Sequence, residues 1–246
     1  MPISHFHRQM EEVKEDLLRM AGLVEEAVFE AMRALTNRDV PLARMVIQSD
    51  RRVNALENLI EGNCIKLLAT QQPVAVDLRF ITSAMKINTF LERMGDQAVN
   101  LAERAQELSE LDPMEIPSTL QQMARIAQEM TRKCLDAFVK RDIALAFEVC
   151  SQDDELDALN RLLLEEMMGW MMREQRVIQR AVELIIAGRH LERIGDEATN
   201  ISEEVVFLVE GTVIRHQAST RPDQEQAADQ EGAPETRDGH GGKIST

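Results

Sequence analysis

The residues of this chain with the clearest capacity for chemistry stand in two copies of one decapeptide. Leu91-Glu92-Arg93-Met94-Gly95-Asp96-Gln97-Ala98-Val99-Asn100 returns a hundred residues later as Leu191-Glu192-Arg193-Ile194-Gly195-Asp196-Glu197-Ala198-Thr199-Asn200, identical at seven of ten positions. Each copy sets Glu, Asp and Asn at i, i+4 and i+8, which an α-helix places along one slowly drifting stripe. Two carboxylates at i and i+4 repel and cost a helix roughly 0.2–0.5 kcal/mol, and a mid-helix glycine costs about 1 kcal/mol relative to alanine. Both costs are incurred twice. A cation over the stripe, with close backbone approach at Gly95 and Gly195, would offset them; the alternative is an ordinary solvated face.

The helix preceding each copy carries a pair of its own, Asp50 with Asn54 and Asp153 with Asp157. An antiparallel hairpin turning at Pro73 sets Asp50 opposite Asp96 and Asn54 opposite Glu92. One turning at Arg173-Glu174 sets Asp153 opposite Asp196 and Asp157 opposite Glu192. Residues so related share one height, roughly 35 Å from the hairpin tip at 1.5 Å per residue. The candidate metal ligands are therefore Asp50, Asn54, Glu92 and Asp96 at a first level and Asp153, Asp157, Glu192 and Asp196 at a second. Oxygen-only sets suit Mg²⁺, Mn²⁺ or iron, whereas zinc recruits Cys or His. The first level is the weaker, since Asn54 stands where a fourth carboxylate would. Measured from the apolar seam of its own helix, the stripe lies roughly 130–170° round and faces outward. Arg93 and Arg193 are expected in surface ion pairs, Arg193 with Glu197, and His190 in a packing or surface role.

The elements that must position these residues are long helices. Phe6, Met10, Val13, Leu17, Met20, Val24, Ala27, Ala31 and Leu35 recur at spacings of three and four, predicting a helix over 5–37 with Ser4 available as its N-cap. Asp39-Val40-Pro41 restarts the chain, because proline is tolerated in a helix's first turn. A second helix runs to about Thr70 on Val46, Val53, Leu56, Ile60 and Leu67. After Gln71-Gln72-Pro73 a third follows on Phe80, Ala84, Ile87, Leu91, Met94, Ala98 and Leu101. The segment 111–117, with Pro113 and Pro117, reads as a linker.

Beyond it the plan repeats. The fourth helix follows Leu120, Met123, Ala127, Met130, Cys134 and Ala137, and the fifth Val149, Leu156, Leu159 and Leu163. The sixth follows Leu184, Ala187, Leu191, Ile194, Ala198, Ile201, Val205 and Leu208, stopping at Gly211. The expectation is an all-α fold of two tandem three-helix antiparallel bundles, residues 1–110 and 118–211. Residues 212–246, polar and Gly-rich, read as a disordered tail.

Composition agrees and narrows the function. Hydrophobic residues make up 44% of the 246, enough for a core, and tyrosine is absent. A net charge of −15 argues against nucleic-acid partners, whose affinity rests on Lys and Arg meeting phosphates. No apolar run is long enough to span a bilayer and no signal peptide opens the chain, which points to the cytoplasm. Cys64, Cys134 and Cys150 lack metal or redox spacing and read as buried thiols. Catalytic patterns are missing: no Glu precedes His5, His7, His190, His216 or His240 by three residues, as a di-iron bundle requires, and no P-loop, nucleophile elbow or Cys-x-x-Cys occurs. No organic cofactor is expected.

A doubled three-helix unit bearing Leu-Glu-Arg-Ile-Gly-Asp-x-Ala-x-Asn at one place in each copy resembles the PhoU family. Further marks are Gln71-Gln72-Pro73 followed by Asp77-Leu78-Arg79, and Asp50-x-x-x-Asn54-x-Leu56-Glu57. The resemblance covers about residues 3–211 and does not include the tail. It implies a cytoplasmic, non-catalytic negative regulator of bacterial phosphate-starvation signalling. Its implied partners are the ATPase of the phosphate-specific ABC transporter and the sensor histidine kinase of the phosphate regulon. It also implies a homodimer or larger oligomer, with metal clusters on Glu/Asp-x-x-x-Asp pairs. Those pairs map onto Glu92/Asp96, Glu192/Asp196 and Asp153/Asp157, with Asp50/Asn54 departing by one amide. A second reading from the acidic stripes alone is a carboxylate-rich metal store or metal enzyme.

Overall fold

A computed structural model of the chain describes residues 5–213. Ser4 and, from Ile214 on, the expected tail lie outside the described residues. Within them the chain forms α1 (His5–Asn37), α2 (Val40–Gln71), α3 (Ala75–Glu110), α4 (Ser118–Lys140), α5 (Ile143–Arg173), a 3-10 turn (Gln175–Val177) and α6 (Ile178–Glu210). No strand occurs among the described residues, and the expected all-α architecture is the one observed.

The ends of the helices follow from local chemistry, and the repeats use the same device. Arg38 and Arg141 take left-handed φ values of 55° and 53°, reversing the chain after α1 and α4. The N–H groups of Asp39 and Asp142 then donate back to Ala34 and Ala137 carbonyls at 2.9 and 3.0 Å, a Schellman closure. The same two aspartates cap the next helix, Oδ1 accepting from Leu42 N at 3.0 Å and from Leu145 N at 3.1 Å. Arg-Asp thus ends one helix and starts the next within two residues, which makes each hairpin sharp. Gly211, at φ 76°, closes α6.

Every residue of the predicted seams of α2, α3, α4 and α6 is buried. Leu159 of α5 and Phe6, Met10 and Ala27 of α1 are only half-buried. Within the first repeat α1, α2 and α3 pack on one another, as do α4, α5 and α6 in the second. The repeats are not separate bodies: α3 packs broadly on α6, and the described helices belong to one compact unit. The linker is held as well. Arg38 donates to the carbonyls of Ser109 (3.0 Å), Leu111 and Asp112 (3.4 Å), and the buried Arg180 donates to those of Asp112 (3.3 Å) and Pro113 (3.4 Å).

Candidate functional site

The two glycines of the decapeptides lie where the hairpin helices approach closely. A Cβ on Gly95 would sit 3.3 Å from Val53 Cγ1 and 3.8 Å from Asp50 Oδ1. A Cβ on Gly195 would collide with Leu156 Cδ2 and lie 3.3 Å from Asp153 Oδ1. Asp50 and Asp153 therefore occupy equivalent places, each with one carboxylate oxygen turned toward the partner helix. The glycine supplies the room, and its cost in helix propensity is offset by that approach.

The carboxylates of each level act on one another's charge. Burial raises the Asp153 carboxyl to about 7, and the charges of Asp196, Asp157, Asp154 and Glu192 add to it. Asp196, though exposed over much of its surface, is raised to about 6 by burial and then by Glu192, Asp157 and Glu197, with Arg193 opposing. At the first level burial raises Asp96, helped by Asp50. Glu92 is raised by burial, then by Asp96, Glu57 and Asp50, with Arg93 opposing. Asp50 Oδ1, Asn54 Oδ1 and Asp153 Oδ1 are buried oxygens without a hydrogen-bond partner. Asn54 Nδ2 donates to the other Asp50 oxygen at 2.8 Å, so the amide partly plays a cation's role there. Among the described residues, however, no three Asp, Glu, His or Cys side chains are gathered tightly enough to form a ready ligand set for one ion.

Asp50, Glu92 and Asp96 thus lie near enough to act on one another's charge, as do Asp153, Asp157, Glu192 and Asp196, while Asn54 is bonded to Asp50. Two details differ from the sequence reading. Glu92 and Glu192 do not face wholly outward; both are half-buried, because α2 and α5 cover that flank of the helix. Glu57 was not foreseen as a neighbour of the first level, although it lies seven residues after Asp50 on the same face of α2. Its carboxyl is raised by burial and by the charges of Glu61 and Asp96.

Between the repeats runs a polar seam. Lys86 Nζ meets Glu204 Oε1 at 2.8 Å, Ser83 Oγ donates to Glu204 Oε2 at 3.3 Å, and Arg104 Nη1 meets Glu183 Oε2 at 3.0 Å. His190 Nδ1 bonds Gln97 Oε1 at 2.9 Å, and Arg93 Nη1 lies 3.7 Å from Glu197 Oε1. Glu197 is thus paired with Arg93 of the other repeat, a partner that helical spacing within α6 cannot reveal, where Arg193 had been expected. Burial and the charges of Arg193 and Arg104 push the His190 imidazole down to about 4, so it is a neutral packing partner. These pairs define an antiparallel crossing of α3 and α6 centred near Met94 and Ile194. The pseudo-twofold relating the repeats passes through the middle of the decapeptides, and both acidic levels stand at the height of that crossing. Cys64 and Cys134 are buried and Cys150 is half-buried; burial raises all three thiols, Cys64 and Cys150 to about 11.

A family model described as "PhoU domain" matches residues 17–105 and 120–205, spans that take in both decapeptides and all eight candidate positions. A Pseudomonas aeruginosa protein named phosphate-specific transport system accessory protein PhoU homolog is 40% identical over 223 residues, 89% of this chain and 91% of the relative. A protein of the same name from Aquifex aeolicus is 40% identical over 85% of this chain and 95% of its own length. Among solved structures, PhoU from Pseudomonas aeruginosa superposes with a TM-score of 0.82 at 40% identity, covering 85% of this chain and all of the other. The phosphate transport system regulatory protein PhoU from Streptococcus pneumoniae gives 0.79 at 31% identity, covering 85% and 99%.

Proposed function

The chain belongs to the PhoU family, and from that premise we propose that it is an accessory of phosphate transport that restrains the phosphate-starvation response and phosphate uptake. It acts as a non-catalytic adaptor in the cytoplasm, as a homodimer. Its partners are the ATPase of a phosphate-specific ABC transporter and a sensor histidine kinase. The observation that carries this reading is the 40% identity, across 89% of the chain, to a protein named as such an accessory. No helix among the described residues is long and apolar enough to cross a membrane, so an encounter with membrane-bound partners runs through its surface. The polar side chains of the α3–α6 seam suit a scaffold, since they pair with one another across the repeats.

The acidic levels fit hard divalent cations by donor chemistry: all their ligands are oxygens, and three of those oxygens are buried without partners. Asp153, Asp157, Glu192 and Asp196 would hold an ion at the second level, and Asp50, Glu92 and Asp96 with the Asn54 amide oxygen at the first. The ion would supply the positive charge that these carboxylates lack. The side chains come from both helices of each hairpin, α2 with α3 and α5 with α6, so drawing them together would tighten each hairpin at the crossing height. A metal store would instead take up many ions per chain, which elemental analysis separates from a few.

Deleting the gene in its own bacterium is expected to leave phosphate-starvation genes active in phosphate-rich medium, and only while the sensor kinase is intact. Normal repression in the deleted strain overturns the assignment. Capture of the transporter ATPase and the kinase by the tagged full chain tests the partners directly.

A further inference from the structure

The hairpins turned by Arg38-Asp39 and Arg141-Asp142 have diverged on their outer faces. Aligning the two capping aspartates sets Glu26 and Glu30 of α1 against Glu129 and Lys133 of α4. The same alignment sets Met45 and Ser49 of α2 against Glu148 and Gln152 of α5. In the second repeat Lys133 closes the face. Its Nζ meets Glu129 Oε1 on its own helix at 3.0 Å and reaches across to Gln152 Oε1 at 3.3 Å and Glu148 Oε2 at 3.5 Å on α5.

In the first repeat only the leading acid of that bridge is kept. Glu30 stands where the cation would, and Ser49 is spent on its own helix, donating to the Val46 carbonyl at 2.8 Å. Between α1 and α2 there is instead a groove of about 380 Å³, with Leu23, Ala27, Leu42, Met45 and Val46 along its lining. Met45 is 65% exposed, where its counterpart Glu148 is charged. Glu30 is half satisfied: Oε1 accepts from Arg33 Nη1 at 2.9 Å, while Oε2 is shielded from water without a hydrogen-bond partner. Such an oxygen is costly to the fold until a donor reaches it.

We propose that this groove docks a helix of a partner protein, which lays an apolar side chain on Leu23 and Val46 and sets a Lys or Arg against Glu26 and Glu30. The partner then supplies from outside the cation that Lys133 supplies within the second repeat. The inference deepens the adaptor reading and rests on it, naming the surface through which a partner is met. An amphipathic helix anchored in a groove between two others is a recurring recognition mode, and a methionine on the rim adapts to the surface that arrives. Two arginines border the groove as well. Arg33 is committed to Glu30 Oε1, and Arg52, level with Glu26 in the hairpin register, would take an acid of the same helix. A second copy brought by two-fold symmetry would set the acidic rim against its own image, so a basic helix of a different protein is the occupant that fits.

The test uses the full chain with, in turn, the purified transporter ATPase and the whole sensor kinase in detergent, read by biolayer interferometry. Melting temperature and light scattering report fold and oligomeric state. Glu30→Lys with Met45→Glu and Ser49→Gln transplants the bridge of the second repeat and closes the groove. That variant should melt no lower than wild type and weaken binding of the groove's partner by about tenfold or more. Glu30→Gln, which keeps the shape of the side chain, should weaken binding in the same direction and carries the test alone if the triple variant folds poorly. Glu165→Lys, at an exposed acid of α5, should bind as wild type does. Equal binding by wild type, the closed variant and Glu30→Gln, or an equal loss in Glu165→Lys, overturns the groove and leaves the adaptor reading standing. A wild-type dimer that the closed variant breaks, with partner binding unchanged, gives the groove to a second copy and overturns the proposal likewise. Binding of neither protein by the wild type overturns the adaptor reading itself.

Discussion

Raising the pH from 5 to 8 in the presence of a chelator should destabilise the metal-free protein, against the usual trend for a chain rich in ordinary carboxylates. Asp153 has a reference pKa of 3.8 and titrates near 7 in the fold, for reasons of burial and of the charges of Asp196, Asp157, Asp154 and Glu192. Between those values the folded state keeps a proton that the unfolded chain has released. The stabilisation is complete below the unfolded value and is lost as the pH rises through the folded one. Asp196, raised to about 6, acts in the same direction. At about 1.4 kcal/mol per unit the Asp153 shift alone corresponds to roughly 4 kcal/mol. The side chain is only half-buried, so solvent screens part of that, and the two aspartates perturb each other and cannot be summed. We expect about 1–2 kcal/mol, or roughly 2–8 °C of melting temperature for a chain of this size. Thermal melts at pH 5, 6, 7 and 8 measure it, with Asp153→Asn as the isolating variant: it should melt higher than wild type at pH 8 and near it at pH 5. Saturating Mn²⁺ at pH 8 should recover the loss. A wild-type melting temperature that rises from pH 5 to 8, or an Asp153→Asn variant with the wild-type profile, would refute the reasoning.

Alanine at the decapeptide glycines should separate the repeats. Gly95→Ala, with 3.3 Å to Val53 Cγ1, is expected within about 1 kcal/mol of wild type because the gain in helix propensity offsets slight crowding. Gly195→Ala, which drives its methyl into the buried Leu156, should lose about 1–2 kcal/mol net of the same gain, read by urea unfolding. Arg180→Lys should cost about 1–2 kcal/mol, since an ammonium cannot reproduce the fork that serves the carbonyls of Asp112, Pro113 and Arg176. In the seam, Glu204→Gln should cost more than about 1 kcal/mol, the acid being buried against Lys86 and Ser83. Arg93→Gln, at a long and exposed pair, should fall within about 0.5 kcal/mol of wild type by the same measurement.

The contrast between those last two substitutions marks where the sequence was legible and where it was not. Helix limits and seams were readable because they depend on near neighbours. Spacings of three and four name the buried side, Pro41 and Arg-Asp mark the restarts, and equal lengths on either side of Pro73 fix a hairpin register that puts Asp50 beside Gly95. None of that information reaches across the repeats. Glu204 looks in isolation like one more acid on an amphipathic helix, and only the packing of α3 on α6 buries it against Lys86. Glu197 has Arg193 four residues away, so local spacing proposes that pair, while the fold supplies Arg93. The seam also explains why α3 and α6 diverge where they face each other. A perfect duplication would set like against like about the pseudo-twofold, with Arg104 facing Ser83 where Glu204 now does. Instead α3 carries the cations Lys86, Arg93 and Arg104, and α6 carries the acids Glu204, Glu197 and Glu183. Two copies of the first repeat would meet with cations opposed, and two of the second with acids opposed, so the seam favours pairing first with second. The acidic levels face their own hairpin partners, not the seam. There the constraint is common to both halves, and Glu, Gly and Asp recur unchanged in each copy.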